Sequence, residues 1–99
     1  MDKVYIYALV DVRNQSIFYV GSTDNPVRRY NQYIKKKPHN PRLVEIISEL
    51  KSVGRLPVMK IIDETDIYDR NPVEMYWIRK LYLEGQPLKN TTCIRNWKQ

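Results

Sequence analysis

The sequence predicts an α+β domain: a small three-stranded antiparallel sheet packed with about three helices. Two runs rich in β-branched and aromatic residues lie close together near the N-terminus, and a third lies far along the chain. Asn-Pro pairs mark three helix starts. Chains shorter than roughly 150 residues rarely divide, so we expect residues 1–99 to form a single domain.

The first two strands are predicted to form a β-hairpin. Val4–Val10 and Ile17–Val20 are rich in strand-favouring residues, and the turn-forming residues 13–16 separate them. The third strand, Val58–Ile62, follows a Gly and a Pro that end the preceding element. A hairpin joined by a distant strand, with helices between, is typical of the α+β class.

Each helix is predicted to begin at an Asn-Pro pair. Proline suits the first helical position, and an asparagine before it is extended and caps the helix. The pairs are Asn25-Pro26, Asn40-Pro41 and Asn71-Pro72. Apolar residues at helical spacing follow the second pair up to Gly54 and the third up to Gly85. After the first pair we expect Val27, Tyr30 and Ile34 to face inward.

The chain is strongly basic, which favours a polyanionic partner. Its net charge is +6 at pH 7 and its pI is near 9.5. The single Cys93 excludes an internal disulfide and a cysteine zinc site, so we expect a reducing, intracellular and cytoplasmic location. The apolar stretch Val4–Val10 is far shorter than the ~20 residues that span a bilayer, and we expect no membrane partner.

Glu74 is the first candidate for chemistry, with two interpretations. With Asn71 as the cap, Glu74 is the third helical residue, where a glutamate closes a capping box. Alternatively it lies at the margin of an inward-facing stripe and binds a metal ion. A capping glutamate turns back along its own helix, whereas a ligand faces other elements.

Arg29 and Tyr33 lie four residues apart and share a helix face. A guanidinium near a helix N-terminus is suited to hold a phosphate, although Arg28 and Arg29 also fit the pattern of solvated surface charges. His39, the only histidine, fits a surface loop residue or a substrate contact. The acidic run from Asp63 to Asp69 is expected to be solvated at a strand end.

Two strand tyrosines, Tyr7 and Tyr19, fit either packing residues or members of one cleft. They face the same side of the hairpin only if paired positions sum to an even number. That register needs an odd-numbered loop or a β-bulge.

These residues, in this order, resemble the GIY-YIG nuclease family over nearly the whole chain. Tyr5-Ile6-Tyr7 stands where the family has Gly-Ile-Tyr, so the first glycine is replaced, and Tyr19-Val20-Gly21 stands for Tyr-Ile-Gly. Arg29 follows Gly21 by eight residues and resembles the family arginine. Further matching positions are Tyr33, His39, Glu74–Ile78 and Gly85–Asn90.

The resemblance implies an active endonuclease that hydrolyses phosphodiester bonds, most simply in DNA, with one Mg²⁺ or Mn²⁺. Glu74 would hold the metal, Arg29 the scissile phosphate, and Tyr7 would position or deprotonate the water, with Tyr19 and Asn90 in support. Further substrate contacts are expected from Arg28, Tyr33, Lys35, Lys36, Lys37 and His39.

Two other interpretations remain open. A basic nucleic-acid-binding module without catalysis fits the composition equally well, but it has no use for a carboxylate beside a phosphate. A protein-interaction domain leaves the ordered set of residues unexplained. Sequence specificity would come from this domain, from a protein partner or from a homo-oligomer.

Overall fold

The computed structural model describes residues 3–36, 38 and 40–90. Its elements in chain order are β1 (Lys3–Asp11), β2 (Ser16–Thr23), α1 (Pro26–Lys35), α2 (Pro41–Ser52), β3 (Val58–Asp66) and α3 (Arg70–Leu83). The strands form one antiparallel sheet of order β2-β1-β3. The predicted α+β class, with three strands and three helices in this part of the chain, is confirmed.

A β-bulge in the hairpin places the two tyrosines on one face. Asp11 pairs with Ser16 beside the turn, but Leu9 pairs with Tyr19, so Phe18 is the extra residue. Beyond the bulge Tyr7 pairs with Gly21, and the paired numbers sum to an even value. This is the register that a shared face for Tyr7 and Tyr19 requires, and the bulge supplies it.

Helices cover both faces of the sheet because β1 is apolar on both sides. On one face Ile6 and Val20 pack against Ile78 and Leu81 of α3. On the other face the buried cluster is formed by Tyr7, Leu9, Phe18, Tyr33, Leu43 and Ile47, which brings in α1 and α2. The central strand thus carries one aliphatic and one tyrosine-bearing core.

Two of the three predicted Asn caps are confirmed. The side chain of Asn25 accepts a hydrogen bond from Arg28 N at 3.1 Å, and that of Asn40 accepts one from Arg42 N at 2.9 Å. The third is wrong: α3 begins at Arg70 with Asp69 before it, so Asn71 lies inside the first turn. Pro72 is then the third helical residue. A backbone N–H at that position has no acceptor within the helix, so its absence in proline costs no hydrogen bond.

Both glycine stops are confirmed by the same motif. Gly54 and Gly85 have positive φ angles of 71° and 94°. At the end of α2, Arg55 N bonds to Leu50 O and Gly54 N to Lys51 O, and α3 ends with the equivalent pair of bonds.

The inward face of α1 and the end of the third strand differ from the prediction. Val27 is 73% exposed, and the buried residue of α1 is Tyr33, so this helix turns its Arg29 and Tyr33 face inward instead of the Val27 face. Packing and hydrogen bonding between Tyr33 and Tyr7 of β1 determine which face of α1 is buried, and they outweigh the burial of Val27. The third strand continues to Asp66 instead of ending at Ile62, because pairing with β1 extends to Lys3. The acidic run lies at the end of this longer strand, and Glu64, Asp66 and Asp69 are exposed there, as expected.

Candidate active site

A cleft of about 430 Å³ opens at the edge of the sheet, beside β2. Side chains from β1, β2, α1 and α3 meet there because β2 is an edge strand with helices on both of its faces. The residues that line this active-site cleft are Tyr7, Tyr19, Gly21, Ser22, Arg29, Ile67, Arg70, Asn71 and Glu74.

Three tyrosines form a contiguous group beside the cleft, and two of them, Tyr7 and Tyr19, line it. The ring centroids of Tyr7, Tyr19 and Tyr33 lie 6.2 to 6.5 Å from one another. The hydroxyl oxygens of Tyr7 and Tyr33 are 2.6 Å apart and share a hydrogen bond. Tyr7 is fully buried (0% exposed), whereas Tyr19 is half-buried. The phenol that meets solvent in this pair of strand residues is therefore that of Tyr19.

Burial keeps these phenols protonated. It raises the pKa of Tyr7 above its ordinary value of 10.0, although the Tyr33 hydroxyl and the charge of Arg29 act in the opposite direction. Burial also raises the pKa values of Tyr19 and Tyr33 well above the usual range. A neutral hydrogen-bonding phenol is the form that this environment favours.

Gly21 is required by the close approach of Tyr7. A Cβ atom at position 21 would lie 2.5 Å from the Tyr7 hydroxyl oxygen and 2.6 Å from its Cζ atom. The Tyr7 ring lies across the backbone of its strand partner, which only a glycine permits. The glycine of the Tyr19-Val20-Gly21 run thus has a steric reason.

Arg29 lies on the inward face of α1, next to the tyrosines. It lines the active-site cleft and is close enough to Tyr7 to oppose the increase in that phenol's pKa. Arg28 points away: it is exposed and pairs at 3.4 Å with Asp24, which lies just before the start of α1. The two adjacent arginines are therefore separated, and only Arg29 lines the cleft.

Glu74 faces another element, not its own helix end. Its Oε1 atom accepts a hydrogen bond of 2.5 Å from the Ser22 hydroxyl on β2. Since α3 begins at Arg70, Glu74 is the fifth helical residue and is too far along to close a capping box. The capping interpretation is wrong.

The second oxygen of Glu74, Oε2, accepts no hydrogen bond from the described part of the chain. Within residues 3–36, 38 and 40–90 no three His, Cys, Asp or Glu side chains are grouped to hold a metal ion. A lone carboxylate in a cleft fits Mg²⁺ or Mn²⁺, which commonly take one or two carboxylates and complete their coordination with phosphate and water.

Asn90 contacts the edge strand instead of the active-site cleft. Its Nδ2 donates to Val20 O at 2.8 Å and its Oδ1 accepts from Val20 N at 3.1 Å. Lys89 N also bonds to Phe18 O at 2.6 Å, so this segment covers the outer edge of β2. The asparagine thereby holds the strand that carries Tyr19, Gly21 and Ser22.

A second cleft adjoins the first on the side of α1. It shares Tyr19 and Arg29 with the active-site cleft and is also lined by Tyr33 and Lys36. Lys35 and Lys36 are exposed at the end of α1. Lys37 and His39 lie outside the described residues. A basic surface thus continues from Arg29 toward Lys36.

A family model of the GIY-YIG catalytic domain matches residues 3–89. The chain belongs to the GIY-YIG family. Members of this family are nucleases, act on nucleic acid and generally depend on divalent metal ions. Neither a curated protein nor a solved structure matches the chain. In the described residues of this GIY-YIG domain, every helix is too short or too polar to cross a bilayer.

Ser22 and Arg70 are among the cleft residues that sequence reasoning missed. Arg70 lies four residues before Glu74, a helical spacing that places both on one face. Starting the helix at Asn71 hid that relation. Ser22 follows Gly21 on β2 and faces the opposite side from it, toward α3.

Proposed function

We propose that this GIY-YIG domain is a metal-dependent endonuclease that hydrolyses phosphodiester bonds in DNA. The observation that carries the proposal is the convergence of Glu74, Arg29 and the phenols of Tyr7 and Tyr19 in one cleft. They come from α3, α1 and the hairpin, and a protein that only binds nucleic acid has no need of the carboxylate. The net charge of +6 agrees with a polyanionic substrate.

Glu74 is the residue that would hold one Mg²⁺ or Mn²⁺, through the oxygen that Ser22 does not occupy. When bound, such an ion stabilises negative charge on the leaving oxygen of the phosphodiester. The single carboxylate supports one metal ion per domain, with the substrate supplying further ligands.

Arg29 is proposed to bind the scissile phosphate. A guanidinium presents parallel N–H donors that match phosphate oxygens, and it stays charged at every working pH. Its place between the tyrosines and the adjoining basic cleft would hold the phosphate facing Glu74. This contact orients the substrate and offsets charge that develops on its oxygens.

The tyrosines are proposed to orient the attacking water as neutral phenols. Because burial raises the pKa of Tyr7, its ionised form is scarce at neutral pH and proton removal by Tyr7 itself is disfavoured. Tyr19, which is partly exposed, would contact the water directly. The hydrogen bond between Tyr7 and Tyr33 would hold the Tyr7 hydroxyl in place next to Tyr19. Asn90 supports this wall through the Val20 backbone.

Arg28, Tyr33, Lys35, Lys36, Lys37 and His39 are proposed as substrate contacts. Lys36 and Tyr33 are supported by their place in the adjoining cleft, and Arg28 lies with Lys35 and Lys36 along a groove on the exposed surface of α1. Lys37 and His39 remain sequence-based proposals. A protein partner or a second copy of the chain is proposed to supply further specificity.

The test is cleavage of plasmid, branched and single-stranded DNA with Mg²⁺ or with EDTA. We expect Mg²⁺-dependent cleavage that Glu74→Gln abolishes while DNA binding in a gel-shift assay persists. Glu45→Gln, on the exposed surface of α2, is the matched control and should cleave normally.

Three outcomes would contradict parts of the proposal. Full cleavage by Glu74→Gln would remove that residue from the site, and cleavage in EDTA would remove the metal. Tight binding of every substrate with no cleavage would establish the non-catalytic module instead.

A further inference from the structure

The Ser22 hydroxyl lies between a cation and an anion of the active-site cleft. Arg70 Nε donates to Ser22 Oγ at 2.7 Å, and Ser22 Oγ donates to Glu74 Oε1 at 2.5 Å. An arginine nitrogen can only donate, so Ser22 must accept from Arg70. The one hydroxyl hydrogen is then directed to Glu74. The hydrogen bonds therefore run in one direction, from Arg70 to Ser22 and from Ser22 to Glu74.

Arg70 is fastened to β2 and does not pair with Glu74. A second bond joins Arg70 Nη2 to the backbone oxygen of Ser22 at 3.1 Å. Residues four apart on a helix are neighbours, so an arginine and a glutamate at this spacing are within reach of each other. In the described part of the chain, however, Arg70 and Glu74 form no ion pair within 4.0 Å.

A direct contact between these two side chains would be harmful to a metal site. Arginine commonly binds a carboxylate through two parallel hydrogen bonds, which would engage both oxygens of Glu74. It would also bring a fixed positive charge against the position of a divalent cation. With Ser22 between them, only Oε1 is engaged and Oε2 is left for another ligand.

We propose that Ser22 is a positioning residue that holds Arg70 away from Glu74 and so keeps the carboxylate available to a divalent cation. The proposal rests on the proposed function of Glu74 as the metal ligand. It adds that Ser22 controls whether the Glu74 carboxylate is free to bind the ion. Arg70, with its remaining N–H donors in the cleft, then adds positive charge for the phosphate without competing for the carboxylate.

The test measures Mn²⁺ binding by electron paramagnetic resonance, with the Tyr7→Phe protein bound to duplex DNA as the parent so that cleavage is slow. Ser22→Ala should raise the Mn²⁺ dissociation constant about 10- to 100-fold, the usual effect of losing a group that orients a metal ligand. Ser22→Ala combined with Arg70→Gln should recover most of the affinity, because the competing cation is gone.

The matched control is Ser16→Ala at the other end of β2, whose hydroxyl donates to Asn14 Oδ1 at 2.7 Å, far from Glu74 and Arg70. It should leave Mn²⁺ affinity unchanged. Unaltered affinity in Ser22→Ala would overturn the proposal, and so would a double variant as weak as Ser22→Ala, since the hydroxyl would then act on Glu74 alone.

Adding Glu74→Gln to the parent distinguishes the role of Glu74 as metal ligand from the role of Ser22 in positioning it. If Mn²⁺ binding depends on Glu74 but not on Ser22, the spacer role is overturned and the metal ligand stands. If Mn²⁺ binding is the same with and without Glu74, the metal ligand of the proposed function is overturned, and the role of Ser22 with it.

Discussion

Replacing Gly21 with alanine should damage both stability and the active-site cleft. The new Cβ would lie 2.5 Å from the Tyr7 hydroxyl oxygen, 2.6 Å from Tyr7 Cζ and 3.1 Å from Tyr19 Cε2. Tyr7 is fully buried and bonded to Tyr33, so the ring cannot simply swing aside. The added methyl group must displace either the strand or the ring.

Adding a methyl group to a well-packed core costs about 1–3 kcal/mol, and two atoms closer than 3 Å place Gly21→Ala in the upper half of that range. For a domain of this size each kcal/mol lowers the melting temperature by about 4–8 °C. Because Cζ itself is in the way, Tyr7→Phe should not rescue Gly21→Ala.

The assay is urea unfolding followed by circular dichroism, together with DNA cleavage by the folded fraction. Gly54→Ala is the control: it meets open space but has a φ of 71°, so it should cost about 1–2 kcal/mol through the backbone alone and leave cleavage unchanged. Unfolding of Gly21→Ala within 0.5 kcal/mol of the parent, or normal cleavage, would refute the packing argument.

The remaining predictions concern pH and salt. Tyr7→Phe should slow cleavage by about the same factor at pH 7 and pH 9, since the pKa of Tyr7 is raised by burial; a deficit that grows tenfold per pH unit would assign an ionised Tyr7 as the base. Hydrogen bonds from Arg13 lower the pKa of buried Asp11 below 3.8, so this carboxylate stabilises the fold above that pH and the benefit is lost as the pH falls through the folded pKa. The free energies of unfolding of the parent and of Asp11→Asn should therefore converge in acid, and a constant difference would contradict the assignment. Lys35→Gln with Lys36→Gln should reduce the slope of log DNA affinity against log salt by about 2, whereas Lys80→Gln, paired with Glu84, should leave it unchanged.

Much of the fold was predictable because local signals agree with the packing. The Asn-Pro pairs at Pro26 and Pro41 specify their helices through capping, and Gly54 and Gly85 end theirs through positive φ. Parity defined which register would place Tyr7 and Tyr19 on one face, but the bulge that produces this register was not specified by the sequence. By contrast, α3 begins before its Asn-Pro pair, because the turn after β3 is held by the Asp66 side chain.

The less predictable features depend on partners that are distant in sequence. Tyr33 faces inward because its hydroxyl shares a hydrogen bond with that of Tyr7, 26 residues away. The apolar pattern of α1 alone favoured Val27 as the buried residue, and Val27 is exposed. Ser22 carries no signal of its own until Arg70 and Glu74 are placed beside it. Glu74 itself left two interpretations open until the start of α3 was known.

The most direct test of the central claim is anomalous diffraction from crystals of Tyr7→Phe bound to duplex DNA and soaked with Mn²⁺. We predict one manganese peak bound by Glu74, with Arg29 on the adjacent phosphate. A manganese peak at the acidic residues of β3, or a DNA backbone that does not pass through the active-site cleft, would contradict the account.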